Sequence, residues 1–254
     1  MDTWIGMPRY FLEIAFDGTA FKGWQNQPRD PSVQAQVERA VGVALHRPKV
    51  TVVGCGRTDT GVHARQFFLH FDAEQEALDE RFVRSVNGIL PESIGARRVL
   101  RVKDDAHARF DATARTYTYH VHRAKDPFLF MRSYHFPPAL NVIAMNKACK
   151  CLIGKQDFSA FQKSGSDNKT AVCHVRLAKW TRTPAGCVFT ITADRYLRNM
   201  VRAIVGTGLR VGTGKEPVEH MARVLAAGHR SAAGKSAPAN GLYLERVQYP
   251  YVKE

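Results

Sequence analysis

The stretch from Gly54 to His63, which reads Gly-Cys-Gly-Arg-Thr-Asp-Thr-Gly-Val-His, has the residue types and spacing of a reactive loop. Within it Asp59 lies between two potential cations, with Arg57 two residues before it and His63 four residues after it. Because neighbouring positive charge favours the ionised form of a carboxyl group, Asp59 suits the role of a nucleophile or a general base. The alternative is a polar turn in which the Asp side chain binds its own backbone.

Apolar, β-favouring runs on both sides of this loop predict that it joins two neighbouring strands. Helical periodicity and helix-start residues predict two helices in the same half of the chain. The elements predicted there are, in order, a strand at Arg9–Phe16, a helix beginning near Asp30 to Ser32, strands at Val50–Val53 and Arg65–Phe71, a helix from Asp79 to Leu90 and a strand at Gly95–Val102.

The same order of elements recurs in the second half. The elements predicted there are a strand at Ala114–His122, a helix at Val142–Leu152, strands at Val172–Thr181 and Cys187–Ala193, helices at Leu197–Leu209 and Val218–Ala227 and a strand at Leu242–Val247. Two strand-helix-strand-strand-helix-strand halves are typical of the ferredoxin-like arrangement. The predicted fold class is therefore α+β, with two ferredoxin-like halves whose antiparallel sheets form a central cleft and whose helices cover the outer faces. The predicted domains are residues 1–105, with the Asp59 loop, and residues 106–254.

The formal net charge of +14, from 37 Lys and Arg against 23 Asp and Glu, predicts a polyanionic partner. Nucleic acid is favoured over a membrane surface, because the basic residues form no amphipathic segment. No apolar run reaches the length of a bilayer span, and Met1–Pro8 is too short and polar for a secretory signal, so we expect a cytoplasmic protein. The five cysteines lack the spacing of a zinc site or a disulfide framework and are interpreted as packed, reduced thiols.

Several partial motifs indicate other functions and are excluded on spacing or context. The tripeptide Asp59-Thr60-Gly61 occurs in aspartic proteases, but their mechanism needs two such carboxylates and this sequence has one copy. Gly228–Ser236 resembles a phosphate-binding P-loop with one residue too many between its glycines, and Gly206–Gly212 misses the dinucleotide-binding spacing. His120 and His122 share a strand face without a further ligand at metal spacing, so no metal site is predicted.

The segment Gly56–Ala64 closely resembles the signature loop of the tRNA pseudouridine synthase A family. Thr60 stands where that family usually has Ala, and Asp194–Leu197 departs from the usual Asn-Ala-Phe-Leu. Neither departure removes a reactive group. Five further segments resemble the family's motifs in the same order along nearly the whole chain: Phe16–Thr19 with Gly23–Gln25, His107–Tyr119, Asp157–Phe161, Asn199–Gly206 and Ala237–Pro250.

The resemblance implies conversion of uridine to pseudouridine in the anticodon stem-loop of tRNA, at nucleotides 38 to 40, by a homodimer without a cofactor. It assigns Asp59 as nucleophile or base, with Arg202 as the cation that pairs with it. Tyr117 would stack on the uracil and move the C5 proton, and Leu242 would form an apolar wall against the base. Arg57 would contact the phosphate backbone or fill the gap left when the target base leaves the stack, since a base inside a stem cannot be reached in place.

A different class of function remains open from the sequence. A non-catalytic RNA-binding protein with the same fold would show the same charge and the same order of elements. The presence of Asp59, Tyr117 and Arg202 together argues against it, because RNA binding alone does not require a carboxylate among cations. With Arg202 as the pairing cation, His63 is expected to shape the loop.

Overall fold

The computed structural model describes residues 7–74, 77–165 and 170–253. Most of Met1–Pro8 therefore lies outside the described residues. The chain divides into two compact units: unit 1 comprises Met1–Thr113 with Arg246–Glu254, and unit 2 comprises Ala114–Glu245. The domain boundary between residues 105 and 106 stays a prediction.

Unit 1 is an antiparallel sheet with two helices. Its elements are β1 (Arg9–Phe16), α1 (Val33–Ala44), β2 (Val53–Gly54), β3 (His63–Asp72), α2 (Glu80–Ile89) and β4 (Ile94–Arg101). The strand order is β4-β1-β3, and β2 also pairs with β3 in the antiparallel sense. β1 pairs with β3 from Arg9 opposite Asp72 to Phe16 opposite Ala64, and the register shifts between Ile14 and Phe16.

Capping and aromatic packing account for much of unit 1. Ser32 caps α1 by accepting a hydrogen bond from the Ala35 amide, and Asp79 caps α2. Phe11 and Phe68 are fully buried on neighbouring strands, and the ring of Tyr249 packs edge-on against both, with centroids 5.1 and 5.3 Å away. The C-terminal segment thus completes the core of this unit.

Unit 2 carries a second sheet. Its elements are β5 (Ala114–His122), β6 (Tyr134–His135), α3 (Val142–Cys149), β7 (Gly154–Asp157), β8 (Val172–Arg182), β9 (Gly186–Ala193), α4 (Met200–Gly212), α5 (His220–Ala227) and β10 (Leu242–Gln248), of which residues 242–245 belong to this unit. The strand order is β10-β5-β9-β8-β7, with β6 parallel to β5. α4 is buried along most of its length, and Trp180 of β8 packs against Phe189 of β9 at 4.9 Å.

The predicted α+β class is confirmed, and β1 and β5 occupy their predicted residues. The strand predicted at Val50–Val53 is wrong in its bounds, because only Val53–Gly54 pairs with β3. α3 ends at Cys149 and continues as a short 3-10 helix to Leu152. The short strands β6 and β7 were not predicted.

All five cysteines are free thiols, and four of them are buried, which agrees with the expectation that most of them are packed. Burial raises the pKa of Cys149 to about 12, which keeps that thiol protonated near neutral pH. Across the described residues, no helix has the length and apolar character needed to cross a membrane.

Candidate active site

The Asp59 loop joins β2 to β3. The Val62 amide donates to the Asp59 carbonyl oxygen at 3.2 Å, and the Gly61 amide donates to the Phe21 carbonyl at 3.3 Å. Gly61 has a φ of +75°, a left-handed conformation that glycine adopts without strain. The turn leaves Asp59 half-buried and Arg57 exposed.

Two glycines outside the loop hold its backbone in place. A Cβ atom on Gly18 would lie far inside van der Waals distance of the Val62 carbonyl, and one on Gly23 would do the same against the Thr58 carbonyl. Gly23 also has a φ of +99°. These positions belong to the segments that resemble the family's opening motif, so the motif has a physical reason: only glycine allows this close approach to the backbone around Asp59.

His63 fixes the far end of the loop. Its side chain is 2% exposed, and its Nδ1 accepts a hydrogen bond from the Gly18 amide at 3.1 Å. The same nitrogen lies 3.2 Å from Oδ1 of Asp17. These contacts match a residue that shapes the loop.

Tyr117 lies in β5 opposite Ile191 of β9 and is half-buried. Its ring meets the ring of Tyr196 edge-on, with centroids 4.9 Å apart and an angle of 80°. The Tyr196 hydroxyl lies within hydrogen-bonding distance of two backbone carbonyls, 3.1 Å from that of Arg115 and 2.9 Å from that of Ile191. Burial raises the pKa of Tyr196, so this residue is a neutral, rigid support for the Tyr117 ring.

Arg202 lies in the first turn of α4 and is half-buried. Its Nε–H donates to the Ala237 carbonyl at 2.8 Å, and the Ala237 amide donates to the Arg202 carbonyl at 2.9 Å. This reciprocal pair ties both the backbone and the side chain of Arg202 to the segment before β10.

The segment from Ala237 to Leu242 also contacts β5. The Tyr119 hydroxyl donates to the Pro238 carbonyl at 2.7 Å, and burial raises the pKa of Tyr119. A Cβ on Gly241 would lie 2.9 Å from the Tyr119 ring, so the segment passes closely over this side chain. It ends at Leu242, which is the first residue of β10 and is 6% exposed. One short segment therefore links Arg202, the strand that carries Tyr117, and Leu242.

The predicted site residues fall into two sets. Asp59 and Arg57 belong to unit 1, whereas Tyr117, Arg202 and Leu242 belong to unit 2. Sequence reasoning did not single out Tyr119 or Tyr196 as supports. Tyr119 had a signal, because it follows Tyr117 by two residues and shares its strand face. Tyr196 belongs to the segment Asp194–Leu197 noted above, but it is 79 residues from Tyr117 and nothing in the sequence indicates that the two rings meet. Among residues 7–74, 77–165 and 170–253, no cluster of three or more His, Cys, Asp or Glu side chains has the geometry to hold a metal ion.

Known proteins similar to this chain share one description. A family model described as tRNA pseudouridine synthase matches residues 148–250. A protein of Parabacteroides distasonis named tRNA pseudouridine synthase A is 45% identical over 96% of this chain and 97% of its own length. Proteins of the same name from Bacteroides thetaiotaomicron and Shouchella clausii are 47% and 40% identical, each over 96% of this chain and over 91% and 94% of their own lengths. The resemblance seen in the motifs is confirmed, and the chain belongs to the tRNA pseudouridine synthase A family.

Proposed function

We propose that this protein converts uridine to pseudouridine in the anticodon stem-loop of tRNA, at nucleotides 38 to 40, with Asp59 as the reacting carboxylate. The observation that carries the proposal is identity of up to 47% to enzymes of this name along almost the whole chain. The net charge of +14 suits a protein that binds RNA through its phosphates.

The reaction rearranges bonds within one nucleotide. The bond between C1′ of the ribose and N1 of uracil breaks, the base turns, and a new bond forms between C1′ and C5. N1 gains a proton and C5 loses one, so the atoms of the nucleotide are conserved. Asp59 begins the reaction, either as a nucleophile that attacks the nucleotide or as a base that removes a proton from it.

Arg202 and Tyr117 complete the proposed chemistry. The guanidinium of Arg202 pairs with Asp59 and keeps the carboxylate ionised when the bound base excludes water. The ring of Tyr117 stacks on the uracil, and its hydroxyl accepts or relays the C5 proton late in the reaction. The edge-on support from Tyr196, at 4.9 Å, suits a ring that must keep one orientation while the base turns.

Leu242 and Arg57 act on the position of the substrate. Leu242 is a buried side chain next to the segment that holds Arg202, as an apolar wall against the base requires. Arg57 is exposed in the Asp59 loop, where it contacts the phosphate backbone or fills the gap left by the flipped nucleotide. Both roles match an enzyme that must extract its target from a base-paired stem.

The proposal also includes two ferredoxin-like halves. Strand orders β4-β1-β3 with β2 on β3, and β10-β5-β9-β8, support two ferredoxin-like halves, because this arrangement places the first and third strands of each half together at the centre of its sheet. We further propose a cytoplasmic homodimer that needs no cofactor, as the family resemblance implies.

The direct test measures tritium release from tRNA labelled at C5 of uracil. Purified protein should release tritium from unmodified tRNA, whereas Asp59→Asn should bind the tRNA and release none. Asp105→Asn is the matched control, because Asp105 is an exposed carboxylate outside the loop and its loss should leave turnover unchanged. Full activity of Asp59→Asn would refute the assignment. RNA binding without base conversion on any tRNA would instead establish a non-catalytic RNA-binding protein.

A second test concerns Arg202. Replacing Arg202 by Ala should lower kcat strongly and alter the pH–rate profile, because the proposed partner of the reacting carboxylate is lost. Arg202→Lys should recover part of the pH profile, since it restores the charge without the planar fork. An unchanged profile in Arg202→Ala would remove the charge-pairing role.

A further inference from the structure

The stretch from Gly228 to Ala237, which contains the segment Gly228–Ser236 excluded above as a P-loop, lies against the N-terminal half of α4 and is called the strap below. We propose that the strap is a positioning device that sets the direction of the Arg202 guanidinium, with Gly206 and Ser236 as its positioning residues. This inference rests on the proposed role of Arg202 and adds residues that the reaction needs without their touching the substrate.

The end of the strap controls Arg202 directly. The Ala237 carbonyl accepts from Nε–H of Arg202 at 2.8 Å, and the Ala237 amide donates back to the Arg202 carbonyl at 2.9 Å. Because the guanidinium is planar, a bond at Nε fixes both its plane and the direction in which its terminal nitrogens lie. A displacement of Ala237 would therefore turn the group that pairs with the carboxylate.

Gly206 sets how closely the strap approaches the helix. It lies one turn after Arg202, and positions four residues apart share a helix face. A Cβ at Gly206 would lie deep inside van der Waals distance of the Lys235 carbonyl and 3.3 Å from the Ala237 amide nitrogen. These obstacles are backbone atoms, so the strap itself must move if any side chain is added here.

Two further anchors hold the strap on α4. The Gly234 amide donates to Oγ1 of Thr207 at 3.2 Å, and this buried hydroxyl donates in turn to the Ala203 carbonyl at 2.9 Å. Oγ of Ser236 accepts from Nδ2 of Asn199 at 2.7 Å.

Ser236 is the point where the strap meets the residue that immediately precedes α4. Its hydroxyl also accepts from the Arg230 guanidinium at 2.8 Å. Asn199 is the N-cap residue of α4 and has a left-handed φ of +67°, a conformation that Asn tolerates better than most residues. Ser236 therefore couples both ends of the strap to the start of the turn that carries Arg202.

The decisive variant is Gly206→Ala. We expect kcat to fall about tenfold to a hundredfold, because small misplacements of a catalytic group have effects of this size. The KM for tRNA should stay within about twofold, since the strap is assigned no RNA contact, and the pH–rate profile should change in the way expected for Arg202→Ala. Gly208→Ala is the matched control on the same helix: its Cβ would lie 3.6 Å from Trp180, an ordinary contact, and kcat should be unchanged.

A pair of substitutions at Ser236 provides a second test. Ser236→Ala removes the acceptor and should lower kcat, whereas Ser236→Thr keeps the hydroxyl and should restore it. Combining Gly206→Ala with Arg202→Ala should give no loss beyond that of Arg202→Ala alone, because both changes remove the same interaction.

The outcomes separate this inference from the proposed function. A normal kcat and a normal pH profile in Gly206→Ala would overturn the positioning role. So would a double variant whose kcat falls below that of Arg202→Ala in proportion to a lower melting temperature. In both cases Arg202 keeps its proposed role. If Arg202→Ala itself leaves the pH profile unchanged, the proposed charge-pairing role of Arg202 is refuted. The positioning role of the strap is then refuted as well, because it depends on Arg202.

Discussion

His70 shows how one buried residue makes the stability of unit 1 depend on pH. Burial and the nearby charges of Arg9 and His107 lower its pKa from 6.5 to about 4, against opposing effects of Asp72 and Asp111. Its ring is 5% exposed, and Nδ1 accepts from the Ala108 amide at 3.1 Å. The folded state therefore favours the neutral form of His70 over the protonated form.

We expect the free energy of unfolding to fall as the pH is lowered through this window. Below pH 6.5 His70 takes up a proton in the unfolded chain but stays neutral in the folded protein. The contribution of neutral His70 to the unfolding free energy is therefore fully present above pH 6.5 and is lost progressively down to pH 4. A lowering of the pKa from 6.5 to about 4 corresponds to a change of about 3 kcal/mol in the unfolding free energy across this pH window. Urea unfolding at pH 4.5 and pH 7 measures the difference.

The matched variant for this prediction is His70→Asn, whose amide oxygen takes the place of Nδ1 as the acceptor without titrating. Its unfolding free energy should depend less on pH between 4 and 6.5 than that of the parent protein. His174→Asn, at an exposed position in β8, should leave the dependence unchanged. Equal slopes for His70→Asn and the parent would show that His70 is not the group responsible.

At the scale of residues, the sequence predicted a candidate reactive loop but not the residues that support it. Asp59 and Arg57 were identifiable because their types and spacing carry chemistry. His63 was expected to shape the loop and is buried at its end, yet its partner Gly18 lies 45 positions earlier, and nothing local indicates that pairing. The bond between Arg202 and Ala237 is similarly remote and depends on a backbone carbonyl, which leaves no mark in the sequence.

At the scale of elements, the close contact between Gly23 and the Asp59 loop predicts that adding one methyl group at Gly23 lowers both stability and turnover. Gly23→Ala would strain a backbone with a φ of +99° and press a Cβ against the Thr58 carbonyl. We expect a loss of at least about 1 kcal/mol in unfolding free energy and about tenfold in kcat, as the loop moves. Denaturant unfolding and tritium release measure the two effects.

The control for Gly23 is another glycine of unit 1. Gly95 lies at an exposed position in β4, and a Cβ there would meet no atom within 4 Å. Gly95→Ala should therefore leave kcat as it is and change stability little. A normal kcat in Gly23→Ala would show that the close approach of the two segments is unimportant for the Asp59 loop.

The elements that the sequence predicted well are those with periodic patterns. β1 and β5 alternate or form apolar runs, and α1 and α2 begin at capping residues, so their ends are marked locally. β7, which reads Gly-Lys-Gln-Asp, has neither pattern and is a strand only because β8 offers it an antiparallel partner. The pairing that defines such a strand is a tertiary interaction, and a local pattern does not contain it.

At the scale of the whole molecule, the net charge of +14 predicts that tRNA binding depends strongly on salt. Each phosphate neutralised by Lys or Arg releases counterions, so the logarithm of the binding constant falls linearly with the logarithm of the salt concentration. Turnover at saturating tRNA should change far less, because the chemical step occurs after the phosphates are bound. Filter binding and tritium release across a salt series measure both quantities.

Arg57 allows this dependence to be resolved to one residue. If its guanidinium contacts a phosphate, Arg57→Gln should reduce the magnitude of the salt slope by about 1 and leave kcat near its original value. If it fills the gap left by the flipped base, the slope should stay and kcat should fall, because the open nucleotide loses its replacement in the stack. Arg84→Gln is the control, since Arg84 is an exposed arginine of α2 that lies 3.7 Å from Glu80, and it should change neither quantity. A variant at Arg57 that behaves like the control would exclude both roles and leave Arg57 as a solvated charge beside the site.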